Sequence, residues 1–199
     1  KYSRVKSASG LTGSAVARQL LHAANICDVD VEMIPGNLTD HYDPKQKKLR
    51  LSPQVYQSNS IAALGIAAHE TGHAIQHDIG YFPLSFRNNL APIAQLGSSL
   101  AFPLLFIGLI FNMFGLARFG VYAFVAVVLF QLVTLPVEFN ASNRAIGLLE
   151  GGGYLTNQEI GPARSVLNAA ALTYVAAALS AVLTLLRLLI LSGIFRRDD

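Results

Sequence analysis

Through residues 1–60 apolar and polar positions change places every few residues; beyond residue 90 they segregate into long uncharged runs. In the early part Val16, Leu20 and the Ala23/Ala24 pair recur at helical spacing. Thr12 stands where an N-cap belongs, so a helix is predicted from there to about Asn25. Period-two alternation over residues 29–34 predicts a strand, turned by Pro35-Gly36-Asn37. Residues 38–42 form a second predicted strand and residues 48–51 a third. Between them, Asp43-Pro44-Lys45-Gln46 places proline at the second position of a type I turn. Ser52 then caps a short helix through Tyr56, with Pro53 at its first position. Residues 60–78 read as one longer helix, capped by Asn59 or Ser60.

Residues 91–111 and 119–137 carry no charge, and a third apolar run covers about residues 169–194, preceded by Pro162 at a helix start. Each approaches or exceeds the roughly 20 residues that cross a bilayer; the alternative for each is a helix buried in a protein core. Composition favours the bilayer. Hydrophobic residues make up 52% and charged residues 14%, with a mean hydropathy of +0.43, whereas soluble domains carry about 25% charged residues. The expected fold is therefore mainly α. A helical bundle with about three transmembrane helices occupies residues 91–199, after a small α+β part with a short antiparallel sheet over residues 1–90. A lipid bilayer is the expected surrounding.

Charge and cysteine usage remove other classes. The net charge of +3 is modest and Lys and Arg form no stripe with interleaved aromatics, so nucleic acid is not an expected partner. Cys27 is the single cysteine, which excludes an internal disulfide and a cysteine-rich metal cluster. The chain begins at Lys1 without Met, so processing or a preceding N-terminal piece is expected, and no signal peptide is visible.

Inside the helix over residues 60–78 lies His69-Glu70-Thr71-Gly72-His73. Residues four apart share a helix face, so both imidazoles can grip one metal ion. Glu70, rotated by about 100° from His69, points beside the ion rather than at it and can reach a water there. That is the chemistry of H-E-x-x-H: two neutral zinc ligands and a general base. A catalytic zinc needs a third protein ligand and an open position. Position 79 is Ile, which excludes a third histidine six residues on. His77 lies about 12 Å along the axis from His69, too far to close on the same ion, and reads as a surface or supporting residue. Among later carboxylates, Asp78 is rotated off the face and Glu150 adjoins three glycines. Glu159 fits a capping box with Thr156, and Asp198 and Asp199 end the chain. Glu138 remains, two residues after Pro136 at the end of an uncharged run. Two predicted spans separate it from His73, so it returns to the same side of the membrane. The competing reading is an interfacial charge.

Several stretches carry a resemblance: Ser9-Gly10-Leu11-Thr12-Gly13, Leu38-Thr39-Asp40-His41-Tyr42-Asp43-Pro44, residues 67–77 around the histidines, residues 132–142 around Glu138, and Ala169-Ala170-Ala171-Leu172-Thr173-Tyr174. Together they resemble the YugP-like neutral zinc metallopeptidases of bacterial membranes, over nearly the whole chain. The resemblance implies a zinc peptidase embedded in the bacterial cytoplasmic membrane, with a further apolar helix before Lys1. More distantly, the arrangement is similar to the HtpX and CAAX prenyl protease group of gluzincins, whose third ligand is the Glu of an E-x-x-x-D pattern. Glu138 matches that Glu, but Ser142 stands where the Asp would be. The carboxylate that normally orients a ligating imidazole is thus expected to be replaced by Asn140, Asp40 or Asp43.

The expected activity is hydrolysis of protein or peptide substrates by a zinc endopeptidase. His69, His73 and Glu138 hold Zn2+, and Glu70 is the general base. An edge strand over residues 38–42 or 48–52 is expected to pair with extended substrate. His41, Tyr42, Arg144 and Tyr154 are candidates for steadying the oxyanion, and packing, capping or solvation is the other reading of each. Charges close to the spans nearly balance, Arg87, Arg144 and Arg164 against Arg118, Arg196 and Arg197, and a cytoplasmic site is expected. Two rivals stand beside this reading. A site-2-type intramembrane protease lacks support, because no Leu-Asp-Gly follows to supply an Asp ligand. A non-catalytic membrane scaffold would hold a structural zinc, closed by four protein ligands.

Overall fold

The computed structural model describes residues 2–192. The predicted end of the third apolar run at Ile194, with Arg196, Arg197, Asp198 and Asp199, lies outside the described residues. The chain divides into two compact units. One comprises the residues up to Tyr81 together with Val137–Ala171; the other comprises Phe82–Pro136 and the chain from Leu172 onward.

In the first unit, helix α1 (Gly13–Ala23) starts where Thr12 Oγ1 accepts the Ala15 N–H at 3.3 Å. Strands β1 (Asp30–Met33), β2 (His41–Asp43) and β3 (Lys48–Leu51) form one sheet in the order β1-β3-β2. The sheet is mixed, where a purely antiparallel one was expected: β2 pairs antiparallel with β3, but β1 pairs parallel with it, Val31 standing opposite Leu49. The cause lies in residues 34–40, which form no tight hairpin. They carry the chain from β1 past the place that β3 later fills, so β3 enters between its predecessors. Its Leu49 and Leu51 are fully buried, which suits a central strand. The second strand also starts later than alternation suggests. Leu38 has φ 56° and is 90% exposed, a left-handed backbone that ends any extended run there.

After the short helix α2 (Pro53–Tyr56), Ser60 caps helix α3 (Ile61–Asp78) by accepting the Ala63 N–H at 3.2 Å. Helix α3 is packed on two sides. Ile61, Leu64 and Ala68 join Val16 and Leu20 of α1 with Ala145, Leu149 and Leu167. Ala63, Ala67 and Ala74 join Val31, Leu49, Leu51 and Val55 on the sheet side. Burial on both sides explains why so much of this helix is Ala and Gly.

Three further helices are long and apolar enough to cross a membrane: α4 (Phe82–Ile110), α5 (Phe114–Gly151) and α6 (Asn157–Leu191). Each starts well before the apolar run that announced it. Helix α5 also continues past Val137 to Gly151, so Glu138 sits inside a helix rather than at its end. Pro162 lies inside α6, which starts at Asn157. There the Thr156 N–H donates to Glu159 Oε2 at 2.8 Å, and Glu159 Oε1 accepts the Ala8 N–H at 2.7 Å. The second unit is built from α4 and the unit's portions of α5 and α6, around Leu105, Val121, Phe124 and Leu188. Small residues let its backbones approach closely: a Cβ on Gly120 would lie 2.6 Å from the Ala101 carbonyl oxygen. Asn112, at φ 56°, ends α4, with the Met113 N–H closing on the Gly108 carbonyl at 2.7 Å.

Candidate metal centre

Helix α3 presents His69 and His73 on one stripe. At about 100° per residue, Ala62, Ile66, His69 and His73 fall within roughly 60° of one another. Gly72 and Glu70 lie on opposite flanks of that stripe. The Gly72 flank meets α5. A Cβ at Gly72 would stand 2.8 Å from the Ala141 carbonyl oxygen, so only glycine lets α5 come this near. That approach brings Glu138 to the histidines. Its Oε2 is 3.2 Å from His69 Nε2 and 3.6 Å from His73 Nε2. Donor atoms from all three residues lie within 4.8 Å of one another. The three side chains are 14%, 11% and 4% exposed, respectively for His69, His73 and Glu138.

These distances suit a zinc ion. Bonds of about 2.0–2.1 Å in a tetrahedron put neighbouring donors about 3.3 Å apart. Two imidazoles and a carboxylate are a donor set that zinc accepts. Both imidazoles are also oriented through their other nitrogen. His69 Nδ1 lies 3.1 Å from Ser142 Oγ, and His73 Nδ1 lies 3.0 Å from Gln76 Oε1. The amide oxygen of Gln76 can only accept, so His73 Nδ1 carries the proton and Nε2 keeps its lone pair for a metal. Gln76 is held in turn: its Nε2 donates to the Val137 carbonyl at 2.8 Å and to Asn140 Oδ1 at 3.0 Å. Arg144 Nε donates to the same Asn140 oxygen at 2.8 Å. Burial opposes protonation of His73, yet the carboxylates of Glu138 and Glu70 outweigh it and raise the imidazole above its usual range. A cation at this point is therefore electrostatically favoured.

Glu70 is buried, on the flank away from Gly72. Of the residues expected to replace the missing aspartate, Asn140 contributes through Gln76, whereas Asp40 and Asp43 are engaged elsewhere. Asp40 accepts from the Ser52 N–H at 2.8 Å and from its hydroxyl. The N–H groups of Gln46 and Lys45 and the Arg50 guanidinium hold Asp43 below the usual carboxylate range. Ser142 itself makes the contact for which Asn140, Asp40 and Asp43 were considered. Gln76 was not anticipated, although it lies three residues after His73 on the same helix.

Among the oxyanion candidates, Tyr42 Oη is 2.8 Å from His77 Nδ1, and burial pushes its phenol up to about 12. His41 Nδ1 meets the Thr39 carbonyl at 2.8 Å. Arg144 serves Asn140, and Tyr154 packs against the core around Leu149. The Tyr42–His77 contact places β2 on the Glu70 flank of α3. Because β3 is the central strand, β2 is the sheet edge on that flank.

Comparison with known proteins gives the family. A family model described as "Putative neutral zinc metallopeptidase" matches residues 1–193. The chain is 47% identical over 188 residues to "Putative membrane protease YugP" of Bacillus subtilis (strain 168), covering 94% of this chain and 83% of that protein. No solved structure matches. With two imidazoles and a carboxylate converging beside Glu70, and with a family match along its length, the chain belongs to the neutral zinc metallopeptidase family so described.

Proposed function

We propose that this protein is a membrane-embedded zinc endopeptidase of the gluzincin type, cleaving peptide bonds in protein or peptide substrates. The observation that carries the reading is the convergence of His69, His73 and Glu138 beside Glu70. Zinc bound there supplies a Lewis acid that brings a water's pKa from about 15.7 toward 7. Glu70 accepts the proton of the attacking water and passes it to the leaving amine, while its backbone on α3 holds it at a fixed offset from the histidines. Gln76 keeps His73 in the tautomer that leaves Nε2 unprotonated, and Ser142 orients the His69 ring through its Nδ1. The free edge of β2 aligns an extended peptide by main-chain hydrogen bonds, which reads backbone rather than sequence.

Three helices long enough to span support an integral membrane location, and the bacterial relative supports the cytoplasmic membrane. The site faces the cytoplasm in this reading, in keeping with the free, exposed Cys27. Labelling of Cys27 by a membrane-impermeant maleimide should require permeabilised cells; labelling of intact spheroplasts would reverse the orientation. The scaffold reading is weakened because, among the described residues, the group has three members rather than the four of a closed structural site. The decisive assay is cleavage of casein by purified, zinc-loaded protein. Glu70→Gln should retain zinc and lose turnover, and a Glu70→Gln protein that still cleaves removes Glu70 from the mechanism.

A further inference from the structure

A cavity of about 450 Å³ opens in the first unit, between the N-terminal turns of α3, helix α2 and the loop before β2. That volume is within the range of sites that enclose small ligands or side chains. Its floor includes Ala62, Ala63 and Ile66 of α3, with Val55 of α2 and Leu38 of the loop. Ala62 and Ile66 stand on the stripe that carries His69 and His73, and Ala63 lies on the Glu70 flank. Along the axis, Ile66 precedes His69 by about 4.5 Å and Ala62 by about 10.5 Å. An extended peptide covers that distance in about one to three residues.

The chemistry of the walls is as telling as their place. The polar groups that border the cavity are largely turned to one another. Asp40 takes the Ser52 N–H and hydroxyl, Gln54 Nε2 donates to Asn37 Oδ1 at 2.6 Å, and the Ser58 hydroxyl donates to Ser60 Oγ at 3.1 Å. What remains facing the space is mostly carbon. Leu38 adds an independent observation. It holds a left-handed backbone and an apolar side chain that is 90% exposed at the cavity rim. An apolar side chain seated in the cavity mouth would bury part of Leu38. The loop that carries it leads directly into β2, so a peptide on that edge passes the cavity mouth.

We infer that this cavity is the subsite for one large apolar side chain of the substrate, close to the scissile bond, and that Leu38, Ala62 and Ile66 set the preference. The inference rests on the peptidase reading above and specifies its substrate: an extended segment with a Leu- or Phe-like residue near the cut. A missing or added apolar group in such a pocket discriminates by about 10–200-fold.

The test uses the full chain in nanodiscs and peptides that differ only in Leu, Phe, Lys, Asp or Ala near the cut. Wild-type protein should favour Leu or Phe over Lys and Asp by at least about tenfold in kcat/KM at one position. Ala62→Phe, which fills the cavity, should shift the preference to Ala through KM. Leu38→Ser, a change at an exposed rim that leaves folding intact, should weaken the preference several-fold. In parallel, fluorescence anisotropy on zinc-loaded Glu70→Gln protein should show the Leu peptide binding more tightly than its Asp and Lys counterparts. Adding Leu38→Ser or Ala62→Phe should erode that difference. A preference for Lys, or selectivity in both assays that neither variant alters, overturns the subsite while leaving the peptidase intact. Selective binding without hydrolysis by the wild type overturns the peptidase reading and leaves the apolar cavity assigned.

Discussion

Both units use a glycine to bring two helix backbones together, yet they surround the contact differently. In the second unit, Gly120 lets Ala101 approach, and the neighbours are Leu105, Val121 and Phe124. These neighbours carry no hydrogen-bonding side-chain group, so shape decides how they fit. In the first unit, Gly72 lets Ala141 approach, and the neighbours are Gln76, Asn140, Ser142 and Glu138. Polar groups buried at such a contact cost free energy unless they are paired. Here the pairing is directional: it aims two imidazoles and a carboxylate at one point. The same packing device lies in an apolar helix contact in one unit and beside the candidate metal centre in the other. The difference lies in the side chains one turn to either side.

That contrast is tested most severely by removing a donor. Glu138→Ala should reduce zinc content, measured by inductively coupled plasma mass spectrometry, to background and abolish hydrolysis with it. Glu70→Gln should keep stoichiometric zinc and lower kcat by about 10²–10⁴-fold, the usual range for a missing general base. Zinc titrations against a competing chelator should place Gln76→Ala about 10–100-fold weaker than wild type. Ser142→Ala should fall at the lower end of that range. Ser142→Asp should bind at least as tightly as wild type, because a carboxylate makes a stronger, charge-assisted bond to His69 Nδ1. Gly72→Ala and Gly120→Ala should each cost about 1–3 kcal/mol by overpacking, read as loss of thermal stability. Only Gly72→Ala should also weaken zinc binding, and equal effects of the two on zinc would mean that the Gly72 contact does not position the donors.

Much of the centre was legible because its chemistry is local. The i, i+4 spacing of His69 and His73 fixes their shared face on any helix, and an even number of apolar runs returned Glu138 to them. The caps at Thr12 and Ser60 were readable for the same reason. Pairing in the sheet was not, because strand alternation says which face is buried but not which strand enters between the others. Leu38 looked like a strand residue, since its left-handed φ leaves no mark on hydropathy. Helix ends beyond the apolar runs were hidden too. Backbone hydrogen bonding continues through Glu138 and Arg144, whereas hydropathy stops at Val137. Gln76 escaped notice because an amide between histidines is ordinary in sequence and acquires meaning only when its oxygen faces His73 and its nitrogen faces α5.

His69, His73 and Glu138 should hold one zinc ion with a position left open for water beside Glu70. A zinc-edge anomalous difference map of the purified protein would show this arrangement. One peak should lie about 2.0–2.2 Å from both Nε2 atoms and from a Glu138 oxygen, with the remaining position filled by no protein atom. A peak elsewhere, or one closed by a fourth protein ligand, would rule out an open three-residue zinc site.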